Sequence, residues 1–305
     1  MYLQHFGLRE LPFSLTPNTH FFLNMASYQK AYNMLMVSLA NAEGFIKIVG
    51  EVGTGKTMLC RKVLNTLEED RENYITAYIP NPVLSPKGLF LAFAEELNIE
   101  IDQDVGHHRL LKAITERLVE FSAIGKQVVL FIDEAHAIPE QTLEALRLLT
   151  NIETETAKLF QVVLFAQPEL DVALGQPSLR QLRQRITFSF EIEVLDRDGL
   201  DRYVSHRIST AGYNGPSLFS KRALDYLYRT SHGVPRVINI LCHKALMVGF
   251  GKGERTVQAD HIRLAADDTE GVELPSANYR PAYFALAGIA ASAAAVVFYL
   301  GGMSL

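Results

Sequence analysis

The stretch from Gly50 to Thr57 reads GEVGTGKT, and its residue types and spacing indicate phosphate binding. It fits the phosphate-binding pattern G-x-x-x-x-G-K-T. Its glycines let the loop curl so that backbone N–H groups point inward at an anion. The Lys56 ammonium can reach the β- and γ-phosphates of a nucleotide, and the Thr57 hydroxyl can bind Mg²⁺. The sequence therefore predicts that ATP and Mg²⁺ are bound by Gly50, Glu51, Val52, Gly53, Thr54, Gly55, Lys56, Thr57 and Met58.

A second motif places two carboxylates at the end of an apolar run. Residues 128–132 are apolar and are followed by Asp133 and Glu134, which is the Walker B pattern. Carboxylates at the carboxyl end of a central strand lie where open α/β sheets bind ligands. We expect Asp133 to hold Mg²⁺ through water and Glu134 to act as general base on the attacking water. His136 completes an Asp-Glu-Ala-His string that also occurs in one helicase class, but a second set of motor motifs is lacking.

The elements around these motifs predict an α/β fold with a parallel sheet. The run 45–49 is apolar and β-rich, and the stretch after the loop has helical apolar spacing without Gly or Pro. Strands are predicted at 45–49, 74–79, 127–132, 160–166 and 187–194. Helices are predicted at 27–41, 56–69, 86–98, 108–123, 140–151, 197–211, 219–230, 234–249 and 258–267. Alternation of strands and helices indicates a parallel sheet flanked by helices, followed by a helical second part.

The pattern of predicted strands, helices and apolar stretches divides the chain into five segments. The predicted segments are an N-terminal segment with one helix (1–43), an α/β core (44–195), a small α-helical lid (196–270), a linker (271–281) and an uncharged stretch (282–303). The composition is 48% hydrophobic and 21% charged, which is typical of a globular protein. A net charge of −5 provides no basic footprint for nucleic acid.

The stretch 282–303 predicts a transmembrane helix. It carries no charged residue, and as a helix it would span ~33 Å, enough for a bilayer core of ~30 Å. Tyr283 and Tyr299 lie near its two ends, where interfacial aromatics belong. The start of the chain lacks the features of a signal peptide. We expect one span in the lipid bilayer and a cytoplasmic body; the alternative is an Ala-rich helix packed on the body.

Three further positions extend the predicted site. Gln167 follows an apolar strand beside the Walker B strand and could contact the γ-phosphate or the attacking water; the alternative is a simple turn before Pro168. Arg183 and Arg185 end a helix, where they are either dipole partners or fingers that reach a neighbouring subunit's nucleotide. Arg236, at the start of a helix in the second part, could fold down on the phosphates.

Together these motifs resemble the AAA+ ATPases of the ExeA/GspA and MshM type, bacterial inner-membrane proteins of type II secretion and MSHA-type IV pilus assembly. The stretches that carry the resemblance are FGLRELPFSLTPNTHFF (Phe6–Phe22), GEVGTGKT, LFIDEAH, FAQPEL, LRQLRQRI and GVPRVIN. They cover most of the chain, and the opening stretch and FAQPEL are more specific than Walker motifs alone. The resemblance implies sensor 1 at Gln167, sensor 2 at Arg236 and an arginine finger at Arg185 or Arg183. It also implies that Phe6–Phe22 wraps near the adenine.

The resemblance further implies a place and a task. The protein would be a single-pass inner-membrane protein that forms homo-oligomers through AAA+ interfaces. It would hydrolyse ATP to drive assembly of an MSHA-like pilus or a type II secretion apparatus, with assembly proteins of the membrane as partners. The larger members carry a periplasmic peptidoglycan-binding domain after the span, whereas this sequence stops at Leu305, so we expect the shorter MshM-like members to be the closer match.

Two alternatives come from other functional classes. Related ATPase domains serve DNA transposition as ATP-dependent DNA-binding regulators, but the acidic balance and the apolar C-terminal stretch argue against nucleic acid as a partner. The other alternative is a nucleotide-bound membrane scaffold that hydrolyses slowly. The Glu134 carboxylate argues against it, because a scaffold has no need of a general base.

Overall fold

The computed structural model describes residues 2–16, 18–102, 104–150 and 158–272. Five strands form one sheet in the order β2-β3-β4-β1-β5, and all neighbouring strands are parallel. The strands are β1 (Phe45–Gly50), β2 (Tyr74–Ile79), β3 (Gln127–Ile132), β4 (Phe160–Ala166) and β5 (Ile186–Ile192). The predicted parallel sheet flanked by helices is confirmed, and β5 begins one residue earlier and ends two residues earlier than predicted.

The predicted helices also form, with small shifts at their ends. The helices are α1 (Tyr2–Phe6), α2 (Ala26–Ala40), α3 (Lys56–Glu69), α4 (Pro86–Glu96), α5 (His107–Ala123), α6 (Glu140–Leu149), α7 (Glu169–Leu174), α8 (Arg180–Arg185), α9 (Arg197–Thr210), α10 (Lys221–Ser231), α11 (Pro235–Gly251) and α12 (Ala259–Asp267). Side chains of Ser85, Asp196 and Ser220 cap the N-termini of α4, α9 and α10, which satisfies backbone donors that a helix leaves free. The short helices α1 and α7 lack the length that makes a periodic pattern visible in a sequence.

The strands β1, β3 and β4 contribute to two separate cores because successive side chains point to opposite faces. In β3, Val128 and Leu130 face a core formed with helices α4 to α8. Val129 and Phe131 face the other core, which is formed with α2 and α3. Burial on both faces explains why the strand reads as an unbroken apolar run. The sheet is thus the rigid support on which the carboxyl-end loops of β1, β3 and β4 are held.

A third core lies within the helical part after residue 196, where α9 to α12 pack together. Phenylalanines of the N-terminal segment, Phe6, Phe13 and Phe21, are buried in this same core. Phe13 meets Phe219 edge to face with ring centroids 6.1 Å apart. The first part of the chain therefore packs on the lid helices, and α2 and the Glu43 carbonyl, which accepts from Gln161 of β4, connect it to the sheet.

No helix within the described ranges is long and apolar enough to cross a membrane. The predicted span 282–303 and all but the first two residues of the predicted linker 271–281 lie outside the described residues. The transmembrane helix therefore stays a prediction from sequence.

Candidate nucleotide site

The phosphate-binding loop connects the end of β1 to the start of α3. Gly53 and Gly55 have φ angles of 81° and 95°, a left-handed backbone that side chains rarely tolerate. A Cβ at Gly55 would lie 2.7 Å from the Tyr28 hydroxyl oxygen, and that hydroxyl donates to the Thr54 carbonyl. Tyr28 of α2 therefore contacts and supports the loop. The loop in turn places the N-terminus of α3 at the cavity, where backbone N–H groups favour an anion.

The Lys56 ammonium lies within this loop. It donates hydrogen bonds to the Gly50 carbonyl at 2.7 Å and the Glu51 carbonyl at 2.9 Å. Burial lowers the pKa of Lys56, and the nearby carboxylates of Glu134 and Asp133 oppose that shift. Exchanging neutral carbonyls for phosphate oxygens would give this desolvated cation a stronger partner.

The two Walker motifs meet at Thr57 and Asp133. The Thr57 hydroxyl donates to Asp133 Oδ2 at 2.8 Å, and the Glu134 backbone N–H donates to Asp133 Oδ1 at 2.9 Å. Burial raises the pKa of Asp133, while the hydrogen bond from Thr57 lowers it. A buried carboxylate beside a hydroxyl is a donor set of hard oxygens, the kind that Mg²⁺ prefers. These two residues fit a magnesium ion, and they would hold it next to the loop.

Glu134 and Gln167 lie side by side because β3 and β4 are neighbours. Ile132 pairs with Leu164 in the sheet, so the chain segments that follow both strands leave from the same edge. The Gln167 amide nitrogen donates to Glu134 Oε2 at 3.2 Å and lies 3.0 Å from His136 Nε2. Both Glu134 and Gln167 line the cavity that the loop opens into. A carboxylate and an amide at this edge are placed to contact a water molecule near the phosphates.

Helix α11 of the lid covers the same cavity. The Arg236 backbone N–H donates to the Gly53 carbonyl at 3.2 Å, and the exposed Arg236 side chain lines the cavity. The described residues that line it are Ser14, Leu15, Thr16, Asn18, Val52, Gly53, Gly55, Lys56, Thr57, Met58, Glu134, Gln167, Tyr203, Arg207, Pro235, Arg236 and Asn239. Loop, strand ends, lid and N-terminal segment thus enclose one site.

An apolar pocket adjoins this cavity and shares several of its residues. It is lined by Phe21, Phe22, Leu23, Met25, Tyr28, Gly55, Met58, Tyr203, Arg207 and Pro235. Phe22 and Tyr28 meet edge to face, with ring centroids 5.6 Å apart. A flat aromatic base would find apolar and aromatic surfaces here, at the end of the loop away from Glu134.

Sequence reasoning missed the lid side chains Tyr203, Arg207 and Asn239. Arg207 is 7% exposed, and it donates to the Tyr203 hydroxyl at 2.9 Å and to the carbonyls of Pro12 and Ser14. The Tyr203 hydroxyl in turn donates to Asn239 Oδ1 at 3.1 Å. The available signal was an arginine on the apolar face of α9, because a buried arginine requires several acceptors.

Arg183 and Arg185 do not line the cavity. Both lie at the end of α8, just before β5 begins, whereas the phosphate-binding loop follows the end of the parallel strand β1. The Arg185 guanidinium donates to Thr150 Oγ1 at 3.0 Å, and Arg183 is exposed. Among the predicted site residues, these two therefore lie away from the cavity of their own chain.

Comparisons with known proteins show what this chain is similar to. Residues 40–174 match a family model described as an AAA domain. General secretion pathway protein A of Aeromonas hydrophila is 41% identical over 272 residues, which are 89% of this chain and 49% of that protein. The chain thus spans about half the length of that relative.

Solved structures with the same fold come from other organisms. Cdc6p from Pyrobaculum aerophilum has a TM-score of 0.67 at 16% identity, covering 84% of this chain and 70% of that one. Drosophila ORC bound to DNA has a TM-score of 0.63 at 18% identity, covering 87% of this chain and 65% of that one. At such identities the likeness concerns the fold alone.

A parallel sheet with a phosphate-binding loop, an acidic strand end and a helical lid defines a P-loop protein of the AAA+ class. The sequence relationship narrows the class further. The chain is a relative of the ExeA/GspA-type AAA+ proteins, as its 41% identity over 89% of its own length to general secretion pathway protein A shows.

Proposed function

We propose that this protein binds and hydrolyses ATP, and that the resulting change acts on an assembly in the bacterial inner membrane. The observation that carries the proposal is the contact between Thr57 and Asp133 at 2.8 Å, directly beside the buried Lys56 ammonium. A phosphate-binding loop and a magnesium-binding carboxylate are thereby joined at one point. Such a site stabilises charge on transferring phosphoryl groups by position and electrostatics.

Each residue of the site has a proposed role. Lys56 contacts the β- and γ-phosphates, and Thr57 with Asp133 holds Mg²⁺, which neutralises phosphate charge when bound. Glu134 takes the proton of the attacking water, and Gln167 orients that water as sensor 1. Arg236 contacts the phosphates from the lid as sensor 2. Its exposed side chain at the cavity rim, on a helix that touches Gly53, supports this role.

A neighbouring copy of the chain completes the site in our proposal. Arg183 and Arg185 lie at the end of α8, away from their own chain's cavity. An arginine that acts in trans must lie on a surface that another subunit can approach. We assign the arginine finger to Arg185, with Arg183 as the alternative, and we expect a homo-oligomer with nucleotide at each interface.

The task we propose is assembly of a type II secretion apparatus or an MSHA-like type IV pilus. The relationship to general secretion pathway protein A supports a role in secretion. The uncharged stretch 282–303 supports a single membrane span with the ATPase part in the cytoplasm. ATP-driven change in conformation or oligomeric state would act on partner proteins of the membrane.

Two substitutions in the purified full-length chain test the ATPase proposal. Lys56→Ala is expected to abolish tight ATP binding, because it removes the cation that faces the phosphates. Glu134→Gln is expected to bind ATP normally and to lose turnover, because only the base is lost. Binding is measured with labelled ATP, and turnover by phosphate release. Hydrolysis by Glu134→Gln at the wild-type rate would show that Glu134 is not the base.

Fractionation and partner identification test the membrane proposal. We expect full-length protein to stay with membranes in high salt and in carbonate, since apolar burial does not depend on charge. Pilus or secretion components should co-purify with the detergent-extracted protein. Recovery of the intact chain in the aqueous fraction would contradict the span. Salt-sensitive DNA binding would instead favour a regulator of the transposition type.

A further inference from the structure

His136 has no role in the proposal above, yet both of its ring nitrogens face the residues assigned to the water-activating step. Nδ1 lies 3.4 Å from Glu134 Oε2 and 3.4 Å from the Gln167 backbone nitrogen. Nε2 lies 3.0 Å from the Gln167 amide nitrogen. The same amide nitrogen donates to Glu134 Oε2 at 3.2 Å. Three side chains from two strand ends thus form a closed ring of contacts.

The backbone explains how His136 reaches this place. Glu134 has a φ of 51°, so the chain reverses direction directly after β3. A single 3₁₀ turn follows at Ala135–Ala137, and the buried Ala135 fixes that turn against the core. The His136 ring therefore lies beside the start of the segment that leaves β4, and its side chain is only 19% exposed.

His136 contacts Gln167 at two points, one on the main chain and one on the side chain. The Gln167 backbone N–H donates to His136 Nδ1 at 3.4 Å. The Gln167 amide nitrogen, which donates to Glu134 Oε2, lies 3.0 Å from His136 Nε2. The imidazole therefore touches the backbone that leaves β4 and the carboxamide that this backbone carries.

We propose that His136 is a positioning residue that sets the orientation of the Gln167 carboxamide. Its contacts with the backbone N–H and the amide nitrogen of Gln167 hold the carboxamide beside the Glu134 carboxylate, where it can orient the attacking water. The inference rests on the proposed function, since it concerns how that site aims its base and its sensor.

The other charged groups near Glu134 and Gln167 do not replace the contacts that His136 makes with them. Asp133 is bonded to Thr57 and to the Glu134 backbone, and Lys56 is bonded to carbonyls of its own loop. On α7, Asp171 pairs with Lys47 of β1. Among these groups, only His136 touches both Glu134 and Gln167, so loss of the imidazole leaves the amide held by its single contact with Glu134.

Three substitutions separate positioning from packing. His136→Gln keeps an acceptor and a donor at a similar reach, so it is expected to retain most of the turnover. His136→Asn keeps the amide but is one methylene shorter, and His136→Leu has neither donor nor acceptor. For these two we expect kcat for ATP hydrolysis to fall about tenfold or more, since misplaced catalytic groups lose rate steeply. The KM for ATP should stay within about twofold, because the phosphate contacts are intact.

A double-mutant cycle with Gln167 gives the second measurement. If His136 acts through Gln167, then His136→Leu combined with Gln167→Leu should hydrolyse no more slowly than Gln167→Leu alone. Multiplied losses in the double mutant would overturn the proposal, and so would equal kcat values for all three His136 variants. ATP binding by each variant verifies folding, and if the leucine variant does not fold, the comparison of His136→Asn with His136→Gln decides.

Glu134→Gln is measured alongside as the reference. If it retains wild-type turnover, the proposed function of the site fails. If it loses turnover while His136→Leu and His136→Asn hydrolyse like the wild type, only the role of His136 fails. The two outcomes are therefore distinct in one set of assays.

Discussion

The Arg236 backbone N–H and the Gly53 carbonyl are joined by a 3.2 Å hydrogen bond, so the lid contacts the phosphate-binding loop through main-chain atoms. The approach is close: a Cβ built on Gly53 would lie 2.5 Å from the Arg236 Cβ. Any movement of the loop is therefore transmitted to the first turn of α11. This contact gives a physical route by which phosphates in the loop would influence the lid.

Gly53→Ala is expected to displace the lid and to weaken ATP binding about tenfold, since a shift of contacts at the phosphates costs on the order of 1.4 kcal/mol. Gly125→Ala is the matched control, because Gly125 has a similar φ of 79° but open space where its Cβ would be. Both substitutions carry a left-handed backbone cost of about 1 kcal/mol. Only Gly53→Ala should change the ATP dissociation constant. If both variants bind ATP equally well, the contact between Gly53 and Arg236 does not influence ATP binding.

The local sequence pattern is sufficient to predict the sheet and the phosphate-binding loop. The strands β1, β3 and β4 are short, mostly apolar runs, and β5 alternates apolar with polar residues. The GEVGTGKT motif indicates both a tight glycine-containing loop and a helix start. The closeness of Glu134 to Gln167 also follows from the sheet, because β3 and β4 are adjacent and end at the same edge. These features depend on residues close together in sequence or on the regular geometry of a parallel sheet.

The lid side chains Tyr203, Arg207 and Asn239 could not be derived in that way. The contact of Arg207 with the Pro12 carbonyl joins residues 195 positions apart, and no periodicity encodes it. The contact of His136 with Gln167 could not be derived either, because the Asp-Glu-Ala-His string does not show that the chain turns back towards Gln167. Such contacts depend on how loops pack, which is a tertiary property.

Arg207 is expected to hold the N-terminal segment on the lid. Arg207→Met leaves the carbonyls of Pro12 and Ser14 without their donor, which should lower the free energy of unfolding by about 2 kcal/mol. It should also expose the segment 8–22 to limited proteolysis. Arg202→Met, on the exposed side of the same helix, is the control and should change stability by less than about 0.5 kcal/mol. Denaturant unfolding measures both, and equal stability of the two variants would contradict this role.

Asp133→Asn should stabilise the protein at neutral pH in the absence of Mg²⁺. Burial raises the pKa of Asp133 above the ordinary 3.8, so the folded state disfavours the charged carboxylate. This penalty is absent below the unfolded pKa and appears as the pH rises through the folded pKa, which means that the wild type loses stability over that range. The advantage of the variant should shrink on acidification towards pH 3.8.

Denaturant unfolding at several pH values, with and without Mg²⁺ and ATP, checks this prediction. Added Mg²⁺ and ATP should stabilise the wild type and have little effect on Asp133→Asn. Asp104→Asn on the surface is the control and should behave like the wild type. A variant that is less stable than the wild type at neutral pH would show that the Asp133 charge is compensated in the fold.

The ion pair of Lys47 with Asp171 should respond unequally to removal of its two partners. The Lys47 side chain is 10% exposed within β1, whereas that of Asp171 on α7 is 49% exposed. Asp171→Ala leaves a buried ammonium without its partner and should cost about 2 kcal/mol, while Lys47→Met should cost less than about 1 kcal/mol. Glu116→Ala breaks the exposed pair with Lys112 and should cost about 0.3 kcal/mol. Chemical denaturation tests the order, and a larger loss for Lys47→Met would contradict it.

Arg185 is expected to act on the nucleotide of a neighbouring copy. Arg185→Ala should bind ATP normally yet hydrolyse it at least about a hundredfold more slowly, because a finger stabilises charge only in the transition state. Wild-type hydrolysis per subunit should rise with protein concentration as interfaces form. Arg183→Ala is the paired variant, since the two arginines end the same helix.

Mixing Arg185→Ala with Glu134→Gln distinguishes an arginine finger from an arginine that only stabilises the end of its own helix. Arg185→Ala supplies an intact Glu134, and Glu134→Gln supplies an intact Arg185, so a mixed oligomer contains interfaces with both groups. We therefore expect partial recovery of phosphate release on mixing two inactive preparations, whereas a residue that acts within its own chain gives none. Loss with Arg183→Ala and not with Arg185→Ala would transfer the role to Arg183. If both arginine variants hydrolyse at the wild-type rate at every concentration, these arginines only stabilise the end of α8, and the site does not need a second subunit.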